Sequence, residues 1–233
     1  MKLELIKELI LDLVFPKNCF GCGKEGSWFC TECEKDIKFI KTPVCYSCRR
    51  ISDNGKVCSK CKKKSNLSGV IITATYSGIL KDALIGFKYQ GLSDVAGEMS
   101  RYLIEALKNQ APKKQFVVMP IPLYIKRFHE RGFNQSELMA KLIAKNFDWN
   151  LNLDLKKIKP TLPQVGQKKI SRIESIKGSF EWQGVDLKDK NILLVDDVLT
   201  TGSTLEEAAR ILKSAGAKSI WGIILCRGQF SQI

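Results

Sequence analysis

Residues 191–204 read NILLVDDVLTTGST. The unbroken apolar run over 191–195 predicts a short strand buried on both faces, as in a parallel sheet with helices above and below. Asp196 and Asp197 follow at its carboxyl end, the edge of an open parallel sheet where ligands bind. Thr200, Thr201, Gly202, Ser203 and Thr204 come next, and the spacing Ser203-Thr204-Leu205-Glu206 predicts a capping box opening an amphipathic helix that Gly216 closes. A hydroxyl-rich turn leading into a helix N-terminus makes an anion site, because free backbone amides and the positive end of the helix dipole meet there. Gly202 lets the backbone approach the anion or take a positive φ. Two acids beside such a nest suit a ligand with vicinal hydroxyls a few ångströms from a phosphate, as in a ribose 5-phosphate. No Walker A run accompanies the acids, so a nucleoside triphosphate would have no cradle.

The amino-terminal third carries a different signal. Eight of the nine cysteines form four C-x-x-C pairs: Cys19/Cys22, Cys30/Cys33, Cys45/Cys48 and Cys58/Cys61. Two such pairs complete a tetrahedral thiolate shell, so the spacing predicts two structural zinc ions. Sequential pairing needs the shortest loops and is preferred to a cross-braced arrangement. Residues 1–15 are interrupted by Glu4, Glu8 and Asp12, which a signal peptide's apolar segment would not tolerate. A cytoplasmic location is therefore expected, in which closely spaced thiols serve metals rather than disulfides. Leu3, Ile6, Leu9, Ile10 and Leu13 share a helical face expected to pack on the protein's own core. Cys226, the ninth cysteine, is expected to be buried rather than reactive.

The 233 residues, 44% of them hydrophobic, suffice for one α/β domain with a small appendage. No apolar run reaches the ~18 residues of a membrane span. The formal charge is +14. Residues 1–64 hold 14 Lys and Arg against 8 Asp and Glu, but eight thiolates around two Zn²⁺ would leave that module only about +2. The sharper basic clusters are KRFHER at 126–131 and the seven Lys and Arg over 156–177, opposed by Glu174 alone. Alternating strand and helix patterns predict a doubly wound sheet. Strands are expected over 68–77, over 115–122 as the first of the parallel core, near 151–153 and over 219–226. The 160–178 segment is expected to be a loop covering a site.

ILLVDDVLTTGSTL is similar to the phosphoribosyl pyrophosphate motif of type I phosphoribosyltransferases. MPIPLYIKRFHERGFNQSELMAKLIAK (119–145), PQVGQKKISRIESIKGSF (163–180) and the cysteine-rich start together resemble the ComF family over nearly the whole chain. The resemblance implies a double zinc ribbon over residues 1–66 and a phosphoribosyltransferase-like domain over 67–233. In it, Asp196 and Asp197 hold the ribose hydroxyls, and Thr200 to Thr204 wrap the 5-phosphate. Arg131 and Asn134 in RGFNQ contact ligand or loop or else serve the entry of the following helix, and Gln164 and Arg172 in the covering loop contact ligand or loop. Mg²⁺ accompanies phosphoribosyl pyrophosphate, and basic residues face the departing pyrophosphate. A role in natural transformation is also implied, with single-stranded DNA and other competence proteins as partners. The competing expectation is a nucleic-acid-binding module that keeps the sugar-phosphate pocket as a sensor or relic. Phe20, Trp28, Phe29 and Tyr46 would then stack on bases, beside the phosphate-binding Lys60, Lys62, Lys63 and Lys64. The zinc module and the acidic motif lie more than a hundred residues apart and are expected to act independently.

Overall fold

Each cysteine-rich turn is finished by one short helix, α1 (Thr31–Glu34) and α2 (Ser59–Lys62), in the computed structural model, which describes residues 16–160 and 176–228. The chain then runs through β1 (Gly69–Thr75), α3 (Gly78–Tyr89), α4 (Val95–Gln110), β2 (Val117–Pro120), α5 (Ile125–Arg131), α6 (Gln135–Phe147) and β3 (Asn150–Leu151). It continues through β4 (Leu155–Lys157), β5 (Phe180–Trp182), β6 (Asn191–Leu199), α7 (Ser203–Ser214) and β7 (Ser219–Arg227). Five strands make a wholly parallel sheet in the order β1-β7-β6-β2-β3, while β4 and β5 form a separate antiparallel hairpin.

Burial on both faces follows from alternation along the central strands. Leu193 and Val195 of β6 join a core with Leu84, Phe87, Met99, Leu103, Met139 and Ile143 from α3, α4 and α6. Ile192 and Leu194 point the other way, into a core with Leu205, Ala208 and Leu212 of α7 and Phe180 of the hairpin. The zinc-ribbon residues divide between the same two cores, with Cys19, Phe29 and Ile37 in the first and Cys45, Tyr46 and Val57 in the second. The segment linking the ribbons covers the edge of β1: Ile40 N–H donates to Thr73 C=O at 2.9 Å, and Thr75 N–H to Lys38 C=O at 3.0 Å. An exposed edge strand would otherwise offer unpaired backbone groups to another chain.

Three expectations change. The strand of the acidic motif runs past Val195 to Leu199, because its ladder with β7 continues through Asp196↔Ile224, Val198↔Cys226 and Leu199↔Arg227. Backbone pairing does not require apolar side chains. Residues 115–122 do not begin the parallel core, since β1 already pairs in parallel with β7. The capping box does not form: α7 is preceded by Gly202 at φ +84°, no side chain caps it, and Glu206 is drawn elsewhere. The expected amphipathic helix at the start and the greater part of the 160–178 loop, with Gln164 and Arg172, lie outside the described residues. Among the described residues, no helix is long and apolar enough to cross a membrane.

Close packing of β1 on β7 sets a steric limit at Gly69, where an added Cβ would lie 2.4 Å from the Trp221 ring. Gly69→Ala is expected to cost about 1–3 kcal/mol by overpacking. Urea unfolding monitored by far-UV circular dichroism measures it, and an unchanged midpoint would contradict the packing.

Candidate functional site

The extension of β6 carries two carboxylates to the carboxyl edge of the sheet with most of their surface already removed from water. Asp196 accepts hydrogen bonds from Ser136 Oγ of α6 at 3.1 Å and from the Asp197 backbone N–H at 3.0 Å. Asp197 forms an ion pair with Lys88, which reaches across from the end of α3. Burial, and then the Asp197 charge, push the Asp196 carboxyl up to about 7, against the opposing pull of its hydrogen bonds and Lys88. Burial disfavours the Lys88 ammonium, yet the two carboxylates outweigh it and hold its pKa above the usual lysine value. One lysine thus serves a pair of acids that repel each other. From the sequence, Lys88 and Tyr89 before Gly91 read as a helix end or as a phosphate contact, and nothing in it pointed to Asp197 as the partner of Lys88.

Beyond Leu199 the turn closes on itself through hydroxyls. Thr201 Oγ1 lies 2.8 Å from Ser203 Oγ and accepts from the Ser203 N–H at 3.3 Å. Thr200 is exposed, and Thr201, Ser203 and Thr204 are partly so. An added Cβ at Gly202 would meet the Tyr46 ring at 2.9 Å. The glycine is thus required twice, by its positive φ and by a ring from the second ribbon.

Glu206 points into that same ribbon. Its carboxylate accepts from Ser65 Oγ at 2.5 Å, from the Asn66 N–H at 2.9 Å, from Asn66 Nδ2 at 3.3 Å and from the Tyr46 hydroxyl. Glu207, the next residue, faces the hairpin, where its Oε1 accepts from the Gly178 N–H at 2.7 Å. Adjacent acids on α7 therefore tie down the second ribbon and the returning end of the 160–178 loop.

The other candidates divide. Arg131 lies with its guanidinium 5.5 Å from the centre of the Tyr89 ring and donates to Gln135 Oε1 at 3.2 Å. With Lys88, Tyr89, Gln90, Gly91, Arg127 and Glu130 it lines a cavity of about 550 Å³, joined to the acids through Lys88. Asn134 is buried, accepts from the Ser136 N–H and donates to the Ile121 carbonyl, both at 3.1 Å, so its side chain is engaged at the entry of α6. His129 is exposed on α5. The aromatics expected as base platforms are used internally. Phe20 stacks on Trp28 at 5.4 Å, Phe29 is buried against Tyr102, and Tyr46 is buried over Gly202. Cys226 is fully buried, as expected.

The cysteines gather as two sets, Cys19, Cys22, Cys30 and Cys33, then Cys45, Cys48, Cys58 and Cys61, each with its sulfurs within 4.8 Å of one another. The Cys22–Cys30 and Cys48–Cys58 sulfurs are 3.8 and 3.5 Å apart. Those values fit the ~3.8 Å edge of a tetrahedron with Zn–S bonds of about 2.3 Å. The Cys30 N–H also donates to Cys19 Sγ at 3.4 Å, joining the two pairs of the first cluster. Pairing is sequential. The donor chemistry and spacing make both clusters structural zinc sites.

Comparison with known proteins agrees with this geometry. Residues 10–62 match the double zinc ribbon domain and residues 134–231 the phosphoribosyl transferase domain. Competence protein ComFC of Bacillus subtilis is 30% identical over 207 residues, covering 85% of this chain and 83% of that protein. The chain belongs to the ComF family. Competence protein F of Haemophilus influenzae is 29% identical over 90% of this chain and 97% of its own length. DNA utilization protein YhgH of Escherichia coli K12 is 26% identical, over 92% and 99%. In this ComF chain, the acidic motif and the turn thus sit at the carboxyl edge of the parallel sheet, within the stretch that matches the phosphoribosyl transferase domain.

Metal analysis is expected to give two zinc ions per chain, and Cys19→Ser or Cys58→Ser to lose one ion each with local unfolding of its own ribbon. Purified protein without zinc would contradict both sites. The acids make stability depend on pH. Folded Asp196 keeps its proton up to about 7, whereas a free aspartate titrates near ~3.9. The folded chain then binds more protons than the unfolded chain between those values, so stability falls as pH rises through that window. Asp196→Asn removes the loss, so its Tm advantage over the wild type should grow from pH 5 to pH 8 in scanning calorimetry. A gap that does not change with pH would show that Asp196 is not the titrating group.

Proposed function

We propose that this ComF protein binds phosphoribosyl pyrophosphate with Mg²⁺ and acts as a phosphoribosyltransferase or as a descendant of one. The observation that carries the proposal is the single strand-turn-helix in which Asp196 and Asp197 end β6 and Thr200 to Thr204 open α7. The acids take the ribose hydroxyls and the turn takes the 5-phosphate with backbone amides and hydroxyls. Arg131, in the cavity beside Lys88, faces the pyrophosphate side. Departure of pyrophosphate from C1 leaves an oxocarbenium-like ribose, so no covalent nucleophile is required. Positive charge at the leaving group and carboxylates near the developing cation lower the barrier. The eight zinc thiolates suit a reducing compartment such as the cytoplasm.

The names of the relatives, competence proteins and DNA utilization proteins, favour a role in handling incoming DNA. Single-stranded DNA and other competence proteins are the partners that follow. Because the ribbon aromatics are engaged internally, such contact would rest on basic side chains rather than on stacking with those rings.

Isothermal calorimetry tests the pocket. Wild-type protein should bind phosphoribosyl pyrophosphate in a saturable, Mg²⁺-dependent manner, and the Asp196→Asn/Asp197→Asn double variant should lose about a hundredfold or more in affinity while staying folded. Affinity should also rise between pH 6 and pH 8, because a bound cation favours the ionised Asp196. Equal affinity in the double variant would remove the acids from the site.

A further inference from the structure

Glu206 occupies a place on α7 where an acid ordinarily supports the helix N-terminus, yet the donors to its carboxylate among the described residues belong to the second ribbon or to the residues that leave it. Tyr46 follows the metal ligand Cys45, and Ser65 and Asn66 lie just beyond α2 and Cys61. Four donors from these residues converge on one partly buried carboxylate. The ribbon reaches the turn at two more points. The Tyr46 ring lies against Gly202, and the Tyr46 carbonyl accepts from Arg227 Nη2 at 2.5 Å. Arg227 ends β7, and the following Gly228 N–H donates to the Leu199 carbonyl at 3.0 Å, at the point where the turn begins. The phosphate-binding turn is therefore gripped from both of its ends by elements that the second ribbon holds.

The first ribbon has no such connection among the described contacts. Phe20 lies against Gly86 of α3, and Glu34 pairs with Arg101 of α4 at 2.7 Å. The two ribbons, alike in sequence, sit on opposite faces of the sheet, and among the described residues the second one reaches the turn.

We propose that the second zinc ribbon is a working part of the sugar-phosphate site. Glu206 is its positioning residue, so that zinc at Cys45, Cys48, Cys58 and Cys61 and ligand at Thr200 to Thr204 stabilise each other. The proposal rests on the phosphoribosyl reading of the turn. Loss of the second zinc acts in two ways. It frees the turn to leave the geometry that aims its amides at one point. It also strips the donors from Glu206 and leaves an unpaired carboxylate one helical turn from the bound phosphate, where its charge repels the ligand. Linkage is reciprocal, so bound ligand must retain that zinc by the same factor.

Three measurements test this. Amide hydrogen exchange over residues 200–206 should be faster in Glu206→Ala than in the wild type without any ligand. In calorimetry, Glu206→Ala should bind phosphoribosyl pyrophosphate about tenfold more weakly, within the usual range of coupling between sites. Glu206→Gln, which keeps an acceptor for the Asn66 N–H, should recover most of that loss. Transfer of zinc to a chromogenic chelator should be slowed by Mg²⁺ and phosphoribosyl pyrophosphate for one of the two ions only. The slowed ion should remain in Cys22→Ser, which empties the first site. Unchanged exchange in Glu206→Ala, or two ions retained equally, overturns the proposal. If Glu206→Ala does not fold, Tyr46→Phe and Glu206→Gln supply the same comparison with the ring and the acceptor kept. A wild-type protein that binds no sugar phosphate overturns the proposed function, and the exchange comparison still decides whether Glu206 holds the turn to the second ribbon.

Discussion

The backbone pairing of β6 with β7 determines where everything else can stand. The ladder runs from Asn191↔Ser219 to Leu199↔Arg227, four residues past the last of the initial apolar run. Because those last residues are held as strand, Asp196 and Asp197 project from a rigid element rather than from a loop. Their side chains meet Ser136 of α6 and Lys88 of α3, which belong to the same face of the sheet. A rigid strand end also fixes the origin of the turn, so the distance between acids and hydroxyls is set by the sheet and not by the ligand.

The electrostatics of this edge is unsettled by design of the packing. Two carboxylates and one ammonium leave a net negative charge in a partly dry place, and the mutual repulsion of the acids is relieved by the proton that Asp196 retains to about 7. Such a group is poised to exchange its proton for a cation. Buried pairs of this kind contribute little to stability, and the carboxyl edge of a parallel sheet is where perturbed polar clusters ordinarily serve binding.

The zinc ribbons are not an appendage hung from the sheet. They enter both cores, cover the edge strand and place the Tyr46 ring against the one glycine of the hydroxyl-rich turn. A module of this size has too little apolar surface to fold alone, so the metal supplies its order and the sheet supplies its burial. The consequence for function is that the expected independence of zinc module and motif has no support in the geometry: Glu206 joins them directly.

What the sequence by itself determined was local. Apolar run, adjacent acids, hydroxyls and glycine lie within fourteen consecutive residues, and the four C-x-x-C pairs close their shells over short loops, so chemistry and spacing alone reveal both. The parallel sheet was legible for the same reason, since burial on two faces leaves a continuous apolar pattern. Contacts between distant partners left no trace in the sequence. Lys88 and Asp197 are more than a hundred residues apart, as are Tyr46 and Glu206, and no periodicity links them. The capping-box spacing at Ser203 and Glu206 was present but misleading. A carboxylate on the first turn of a helix takes the best donors within reach, and only the tertiary structure decided that those donors come from the ribbon on the far side of Gly202.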